Sequence, residues 1–191
     1  MASSEPIDVR DMAIVHAAFR RAYKEAAQLV RANPAPSAGR VTFLAEHIVL
    51  ALMLLHIHHE GEDELLYPKL IERAPDQAPM TEQVEHEHET IKTAPDATAA
   101  ACAAWRAGPS AETGEALAAS LDELNTVAQV HLGDEEQKVV PLAAVTVTQE
   151  EWDALTDAVP LAQRAAVEEV RDDPPYRDMT SPGVFRRARR A

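Results

Sequence analysis

The sequence predicts an all-α protein, an up-down four-helix bundle with an additional C-terminal helix and an irregular tail. Composition is the first reason, because 46% of the 191 residues are apolar whereas aromatic residues reach only 4% and glycines number 6. A core filled mainly by leucine, valine and alanine suits helices better than a β-sandwich. The second reason is a helical period of apolar residues in four segments with short breaks between them, which is typical of a bundle.

The first two helices are predicted from their apolar faces and from the residues that separate them. The first helix spans Val9–Val30, with apolar residues at three- and four-residue spacing. Asn33–Pro36 interrupts it, and Ser37 is a candidate N-cap for the next helix. The second helix is predicted to run without a break over Val41–Leu70 and to end at Ala74–Pro79.

The third and fourth helices follow the same pattern. The third helix is predicted to begin at Thr81 as its N-cap and to continue to Trp105. Pro95 is expected to kink or interrupt it, because proline lacks the N–H that a helix needs. Gly108–Ser110 then separates it from a fourth helix whose apolar stripe covers Leu117–Leu142.

The C-terminal part differs from the rest in composition. We expect the bundle to occupy residues 1–147 and an additional helix to occupy 148–170, with Thr148 opening a capping box. Residues 171–191 hold six arginines against three aspartates, and we interpret them as an irregular basic tail.

Charge and the absence of several sequence features exclude some classes of protein. The chain carries 18 Lys and Arg against 32 Asp and Glu, a net charge of −14, which argues against nucleic-acid and anionic-membrane binding. No apolar run approaches 18 residues and no secretory signal is visible, so we expect a soluble cytoplasmic protein. Cys102 is the single cysteine, which excludes an internal disulfide and a thiolate iron–sulfur site.

Six polar residues occupy positions that the helical period assigns to the core. A carboxylate buried alone is costly, so it must be paired, neutralised or bound to a cation. One such residue could be tolerated, but six on four helices require a common partner. The six candidate metal ligands are His16, His58, Glu62, His88, His131 and Glu135.

The spacing of these residues indicates a duplicated unit. His58 and Glu62 are four residues apart, as are His131 and Glu135, so each pair lies on one face of a helix. In both pairs a proline follows the carboxylate by six residues. The pairs lie 73 residues apart, and the two single histidines of the set lie 72 apart. Two helical hairpins related in this way would bring both sets together at the middle of a bundle.

This pattern resembles the hemerythrin-like family, also called the HHE cation-binding domain. The resemblance covers roughly residues 8–145 and includes "HHEGEDELLYP" from His58, "EHETI" around His88, and His131 followed by Pro141. It implies a four-helix bundle that holds two iron ions with an oxo or hydroxo bridge, both carboxylates bridging the ions. Manganese and zinc remain alternatives, since mixed imidazole and carboxylate donors also suit them.

One departure from the family pattern concerns the third helix. Oxygen-carrying hemerythrins have a His-x-x-x-His pair there, whereas Val84 and Lys92 flank His88 in this chain. Four histidines would give each metal two nitrogens, and two shared carboxylates would bring the total to four protein donors. Such a site leaves positions open for oxygen, peroxide or nitric oxide. We therefore expect reactive or sensing chemistry rather than bulk oxygen transport.

The function that the resemblance implies is binding of dioxygen or a related small oxidant, for sensing or detoxification. One alternative is a di-iron enzyme that acts on hydrogen peroxide or nitric oxide. Another is iron storage or homeostasis, in which the metal is the cargo. The sequence does not choose among these three, nor does it specify an oligomeric state.

Two neighbours of the six residues are alternatives to them. His59 could take the role of His58, although the register with Glu62 favours His58. Glu136 could take the role of Glu135, although the distance to the following proline favours Glu135.

Other polar residues near the set have ordinary interpretations. Tyr23 is expected to pack in the core and Glu85 to be solvated, although either could assist the metal site. His56 and His86 are turned to other helix faces, towards solvent or the surroundings of the ligands. His47 precedes His58 by eleven residues, about 16 Å along a helix, and is too distant to be a ligand.

Overall fold

The computed structural model describes residues 6–91 and 93–155, and this part of the chain contains helices and no strands. The helices are α1 (Arg10–Arg31), α2 (Ala38–Leu65), α3 (Tyr67–Arg73), α4 (Ala78–Ile91), α5 (Thr93–Ala107), α6 (Ala111–Asp134) and α7 (Val140–Thr146). A π-helical turn, Glu135–Val139, joins α6 to α7. The all-α prediction is confirmed.

Four long antiparallel helical segments form the bundle. Helix α1 packs against α2 and α6, and α5 packs against the same two helices, with α4 beside α6 at the other end. A further helix begins at residue 149, where the additional helix is predicted. Residues 156–170, where the sequence predicts that this helix continues, and the predicted tail at 171–191 lie outside the described residues.

Side-chain caps begin three of the helices where the sequence predicts breaks. The hydroxyl of Ser37 accepts a hydrogen bond from the N–H of Arg40 at 3.4 Å. The hydroxyl of Ser110 accepts from the N–H of Thr113, whose own hydroxyl accepts from Ser110 N–H, which completes a capping box. Thr148 and the carboxylate three residues later form the same reciprocal contact.

The predicted N-cap at Thr81 is wrong. Helix α4 begins three residues earlier, at Ala78, and Thr81 is buried inside it with its hydroxyl donating to the carbonyl of Gln77 at 3.2 Å. The earlier start is possible because Pro79 falls in the first helical turn, where no partner for its missing N–H is needed.

Prolines interrupt two helices that the apolar pattern predicts to be continuous. The second helix breaks at Leu66, immediately before Tyr67 and Pro68. The fourth helix widens into the π-helical turn just before Pro141. In each case the proline removes one helical hydrogen bond and crowds the carbonyl four residues earlier. The interruption near Pro95 stays a prediction, because Pro95 itself lies within α5 and residue 92, between α4 and α5, is outside the described residues.

The core consists of two apolar clusters, one on either side of the predicted polar site. On α1, His16 lies between Met12 of the smaller cluster and Phe19 of the larger one. Along α2 the larger cluster ends at Leu55, and the smaller one begins at Leu66 in the break that follows the helix, with the predicted polar residues between them. The polar layer is therefore enclosed by apolar side chains at both ends.

The segment Ala38–Arg73, taken through the break between α2 and α3, is long and apolar enough to cross a membrane by length and composition. Its most apolar window has a mean hydropathy of 1.7, and half of that window is buried inside the bundle. The central helix of a packed core has the same properties.

Candidate metal centre

The six polar residues predicted to face the core are all buried. Each is at most 5% exposed, although a glutamate is almost never fully buried unless it is paired. Four helices and the π-helical turn bring them to one layer of the bundle. They are His16 on α1, His58 and Glu62 on α2, His88 on α4, His131 on α6 and Glu135 in the turn.

His59 is a seventh member of this layer, and it was not among the six predicted residues. It is also 5% exposed, and its ring stacks on that of His88 with centroids 4.3 Å apart. His58 turns the other way, with its Nε2 only 3.0 Å from Nε2 of His16. Successive helical residues point about 100° apart, so two neighbours can both face a bundle interior from opposite sides of its axis. The interpretation of His58 and His59 as alternatives is wrong, because the structure brings both inward.

The donor atoms form two groups. The two-histidine group contains His16 and His58 together with the two carboxylates, and its donor atoms all lie within 4.8 Å of one another. The three-histidine group contains His59, His88 and His131, whose donor atoms meet the same limit.

Glu135 lies between the two groups and turns one oxygen to each. Its Oε2 lies 3.4 Å from Nε2 of His16, in the two-histidine group. Its Oε1 lies 3.3 Å from Nε2 of His131 and 3.4 Å from Nε2 of His88, in the three-histidine group.

Glu62 has the same orientation from the opposite helix. Its Oε1 lies 3.5 Å from Nε2 of His58, and its Oε2 lies 3.8 Å from Nε2 of His88. Both carboxylates therefore span the two donor groups. A carboxylate that shares its oxygens in this way can bridge two cations.

Three of the imidazoles form a hydrogen bond to a carboxylate through Nδ1, the ring nitrogen that faces away from the centre. The sequence does not predict this role for the three carboxylates. The pairs are His88 Nδ1 with Asp63 Oδ1 at 2.6 Å, His131 Nδ1 with Glu87 Oε2 at 3.2 Å, and His16 Nδ1 with Glu136 Oε1 at 3.1 Å. A carboxylate accepts, so the imidazole Nδ1–H donates and the lone pair of a neutral ring is left on Nε2. Every one of these Nε2 atoms faces the centre. This arrangement orients an imidazole as a metal ligand.

The sequence leaves two alternatives open for Glu136 and for Glu85, and the structure shows which contacts each residue makes. Glu136 is part-exposed and lies outside the layer, where it binds both His16 and, at 2.7 Å, the guanidinium of Arg20. Glu135 is the residue that turns inward, as its register predicts. No bond from Glu85 to a member of the two groups is seen in the described part of the chain, and Glu87 on the same helix contacts His131 instead.

Tyr67 is a further contact that the helical period does not predict. Its hydroxyl donates to Oε1 of Glu135 at 2.9 Å, and its ring packs edge-on against His88. It reaches the centre because the break before Pro68 ends α2 at this point. Tyr23 has the expected structural role, since its hydroxyl donates to the carbonyl of Ala51 at 3.3 Å within the larger apolar cluster.

The remaining histidines and the cysteine lie where the sequence places them. His47, His56 and His86 are exposed, and His56 pairs with Glu60 at 3.1 Å. Cys102 is buried, which raises the pKa of its thiol to about 11 and makes it unreactive.

Burial and the neighbouring charged groups shift the pKa values of the centre, and the carboxylates of Glu135 and Glu87 raise the pKa of His131 although burial opposes this. The effect of burial is largest on three other histidines. It lowers the pKa of His16, lowers that of His58 to about 3, and lowers that of His59 well below its usual range, so all three are neutral. Burial, together with the adjacent Glu135, raises the pKa of Glu62 well above its ordinary value. Burial alone would also raise the pKa of Glu135, but its close contacts with His131 and His88 lower it well below its usual range.

The centre has polar atoms without hydrogen-bond partners. Within the described part of the chain, five buried side-chain nitrogen and oxygen atoms lack a partner, and four of them belong to this layer. These four are His59 Nε2, His131 Nε2, Glu62 Oε2 and Glu135 Oε2. Each such atom costs about 1–3 kcal/mol. Cations between the two groups would supply the missing partners, and imidazole with carboxylate is a donor set that suits iron, manganese or zinc. The residues therefore fit bound metal cations.

The donor count differs from the sequence prediction of two nitrogens for each metal. The three-histidine group offers three imidazoles and the two-histidine group offers two, with both carboxylates shared. The difference arises from His59 of α2, whose imidazole joins those of His88 and His131. The third helix offers no second imidazole four residues from His88, because Val84 and Lys92 stand at those positions. The structure therefore groups the imidazoles three and two, rather than two and two.

Comparison with known protein families identifies a match. The family model described as the Hemerythrin HHE cation binding domain matches residues 8–171. No curated protein and no solved structure matches the chain.

Proposed function

The chain belongs to the hemerythrin HHE cation-binding domain family, and we propose that it is a non-haem di-iron protein that binds dioxygen or a related small oxidant, for sensing or detoxification. The observation that carries this proposal is the orientation of Glu62 and Glu135, each with one oxygen towards the two-histidine group and the other towards the three-histidine group. His16, His58, Glu62, His88, His131 and Glu135 are the proposed ligands from the sequence, and His59 is added to them. Iron bound there supplies a redox-active centre with coordination positions for a small ligand.

The unequal donor groups indicate where an external ligand binds. The three-histidine group offers three nitrogens and lies beside one oxygen of each carboxylate, whereas the two-histidine group offers two nitrogens and the other oxygen of each carboxylate. Iron of this kind usually has five or six donors. The two-histidine group therefore leaves more positions for a ligand from solution.

The surroundings of the two-histidine group favour a small, weakly polar ligand. The ring of Phe19 lies 5.5 Å from that of His58, and Phe19, Leu55 and Leu124 are all buried in the larger apolar cluster. This apolar wall excludes water from the side of the layer on which His58 lies. On the outer side, Glu136 holds the Nδ1 proton of His16 and connects it to the part-exposed Arg20.

The test begins with protein purified without added metal. We expect about two iron ions per chain by elemental analysis, as two donor groups require. We also expect an absorption spectrum that changes when dioxygen, hydrogen peroxide or nitric oxide is added to the anaerobic protein. Sustained oxygen evolution from peroxide would instead support the enzymatic alternative, and iron well above two per chain would support storage. Protein that takes up no metal would overturn the proposal.

A pair of variants distinguishes specific from adventitious metal. Glu62→Gln combined with Glu135→Gln replaces both shared carboxylates and is expected to abolish iron binding. Glu64→Gln removes a carboxylate from the exposed face of the same helix and is expected to retain both ions. Equal iron content in the two proteins would show that the carboxylates do not hold the metal.

A further inference from the structure

A groove outside the metal centre runs between α2 on one side and α4 with α5 on the other. Its volume is about 410 Å³. From α2 it is lined by residues that include His56, His59, Glu60 and Asp63. From the opposite side it is lined by Ile91 and by Asp96, near the junction of α4 and α5.

Two of the groove residues also belong to the metal centre. His59 is a member of the three-histidine group, is 5% exposed, and has an Nε2 without a hydrogen-bond partner among the described residues. Asp63 is about one-third exposed, and its Oδ1 binds Nδ1 of His88 at 2.6 Å. The groove therefore leads from solvent to the three-histidine group.

The charge of the groove favours a cation. Three carboxylates line it, those of Glu60, Asp63 and Asp96, and its described lining includes no lysine or arginine. A second groove, on the α1–α6 side of the bundle, has the opposite excess of charge, because Arg20, Arg21 and Lys24 line it against one carboxylate, that of Glu25. A cleft with one sign of charge concentrates ions of the other sign and accelerates their association. A neutral molecule such as dioxygen gains nothing from this field.

We propose that this groove is the route by which a ferrous ion enters the three-histidine group, an inference that rests on the proposed function. Glu60 and Asp96 are exposed and attract the hydrated ion at the mouth. Asp63, deeper along the groove, offers a carboxylate oxygen as the ion loses water. His59 then provides an unpartnered nitrogen at the inner end. Each of these residues replaces part of the hydration shell, so the ion is never without oxygen or nitrogen donors.

The test measures the rate of iron uptake. Metal-free full-length protein is mixed anaerobically with ferrous iron, and uptake is stopped at intervals with a chelator that captures the remaining free ion. In the variant Glu60→Gln/Asp96→Asn we expect uptake to slow about tenfold, because two of the three attracting charges are lost. The final iron content should equal that of the unmodified chain, and the rate should depend less on salt concentration.

The control variant changes the same total charge at a different place. Glu64→Gln/Glu123→Gln removes two exposed carboxylates that do not line the groove, and it should take up iron at the unmodified rate. A charge reversal, Glu60→Lys/Asp96→Lys, should slow uptake further. Circular dichroism of each metal-free variant verifies its helical fold.

The outcomes separate this inference from the proposed function. Full iron content with equal uptake rates in groove and control variants would overturn the route and leave the di-iron centre intact. Slower reaction with dioxygen but unchanged uptake would also overturn the route, since the groove would then serve the oxidant. Absence of iron binding by the unmodified chain would overturn both.

Discussion

His58 and His59 are adjacent in the chain, yet their imidazoles face different donor groups. Nε2 of His58 lies 3.0 Å from Nε2 of His16, whereas the ring of His59 stacks on that of His88 at 4.3 Å. One dipeptide on α2 thus contributes to both halves of the candidate metal centre. Because His59 belongs to the three-histidine group, the two halves differ in their number of imidazoles.

Replacement of His59 should affect one half of the centre only. In His59→Ala the three-histidine group loses one of its three imidazoles, while His16, His58 and both carboxylates remain. We expect iron content to fall from about two ions per chain to about one, because only one group keeps its full donor set. Elemental analysis after exhaustive dialysis measures this content. His47→Ala, an exposed histidine on the same helix, should retain both ions, and two tightly held ions in His59→Ala would contradict the assignment.

The sequence predicts the six original positions because each of them interrupts an apolar period. His16, for example, stands where α1 otherwise places Met12 and Phe19 in the core. Adjacent residues are a different case, since a helical period assigns only one of His58 and His59 to the centre of a buried face. Neighbouring helices pack against both sides of α2 at His58 and His59, so both side chains are buried. The apolar period of α2 alone does not predict this.

The contacts that the sequence does not predict depend on neighbouring helices. Asp63 and Glu87 lie on the flanks of α2 and α4, and each becomes part of the centre only because a histidine on another helix points at it. Tyr67 reaches Glu135 because a proline ends α2 immediately after it. The equivalent proline in the second half produces a π-helical turn instead, so the duplication does not predict the tyrosine either.

Glu136 should tune the affinity of the two-histidine group without determining its metal content. The carboxylate accepts from Nδ1 of His16 at 3.1 Å and thereby directs the Nε2 lone pair inward. Loss of such a contact typically weakens metal binding 10–100-fold, so we expect Glu136→Ala to bind two ions, one of them more weakly by about this factor. Competition with a chelator of known affinity measures the change.

The control for Glu136→Ala is Glu25→Ala. Glu25 also forms an ion pair with an arginine of α1, Arg21 at 2.7 Å, but on the exposed surface. Equal affinities in the two variants would show that Glu136 does not act through His16.

Tyr67→Phe should alter both stability and the spectrum of the iron-loaded protein. The substitution removes the hydroxyl that donates to Oε1 of Glu135 at 2.9 Å and leaves the ring in place. We expect the metal-free protein to lose about 1 kcal/mol in its free energy of unfolding, the usual contribution of one hydrogen bond. The absorption of the iron-loaded form should shift, because a proposed shared ligand loses a hydrogen bond.

Tyr23→Phe separates these two effects. It also removes a buried hydroxyl with a hydrogen bond, here to the carbonyl of Ala51 in the apolar cluster. A similar loss of stability is expected, with an unchanged spectrum. If both variants shifted the absorption equally, the contact between Tyr67 and Glu135 would have no specific influence on the metal.

The ion pair between Glu151 and Arg73 should stabilise the fold in a pH-dependent way. Two contacts of 2.7 Å join the carboxylate to the guanidinium and fasten the helix that begins at 149 to α3. The hydrogen bonds from Arg73 lower the pKa of Glu151 to about 2, from an ordinary value near 4.5. A carboxyl whose pKa is lower in the folded state binds more protons when unfolded, so its stabilisation is complete above about pH 4.5 and disappears as the pH falls towards 2.

The measurable quantity is the difference in free energy of unfolding between the unmodified chain and Glu151→Gln. Solvent screens this pair because Arg73 is more than one-third exposed, so we expect a difference of only about 0.5–1 kcal/mol at pH 7. Urea unfolding of the metal-free protein at pH 7, 5, 4 and 3 should show the same difference at the first two values and a smaller one at the last two. Glu64→Gln, which leaves the contact with Arg73 intact, controls for the loss of one charge. A difference that stayed constant down to pH 3 would mean that the glutamine substitution acts through the cap at Thr148 rather than through the ion pair.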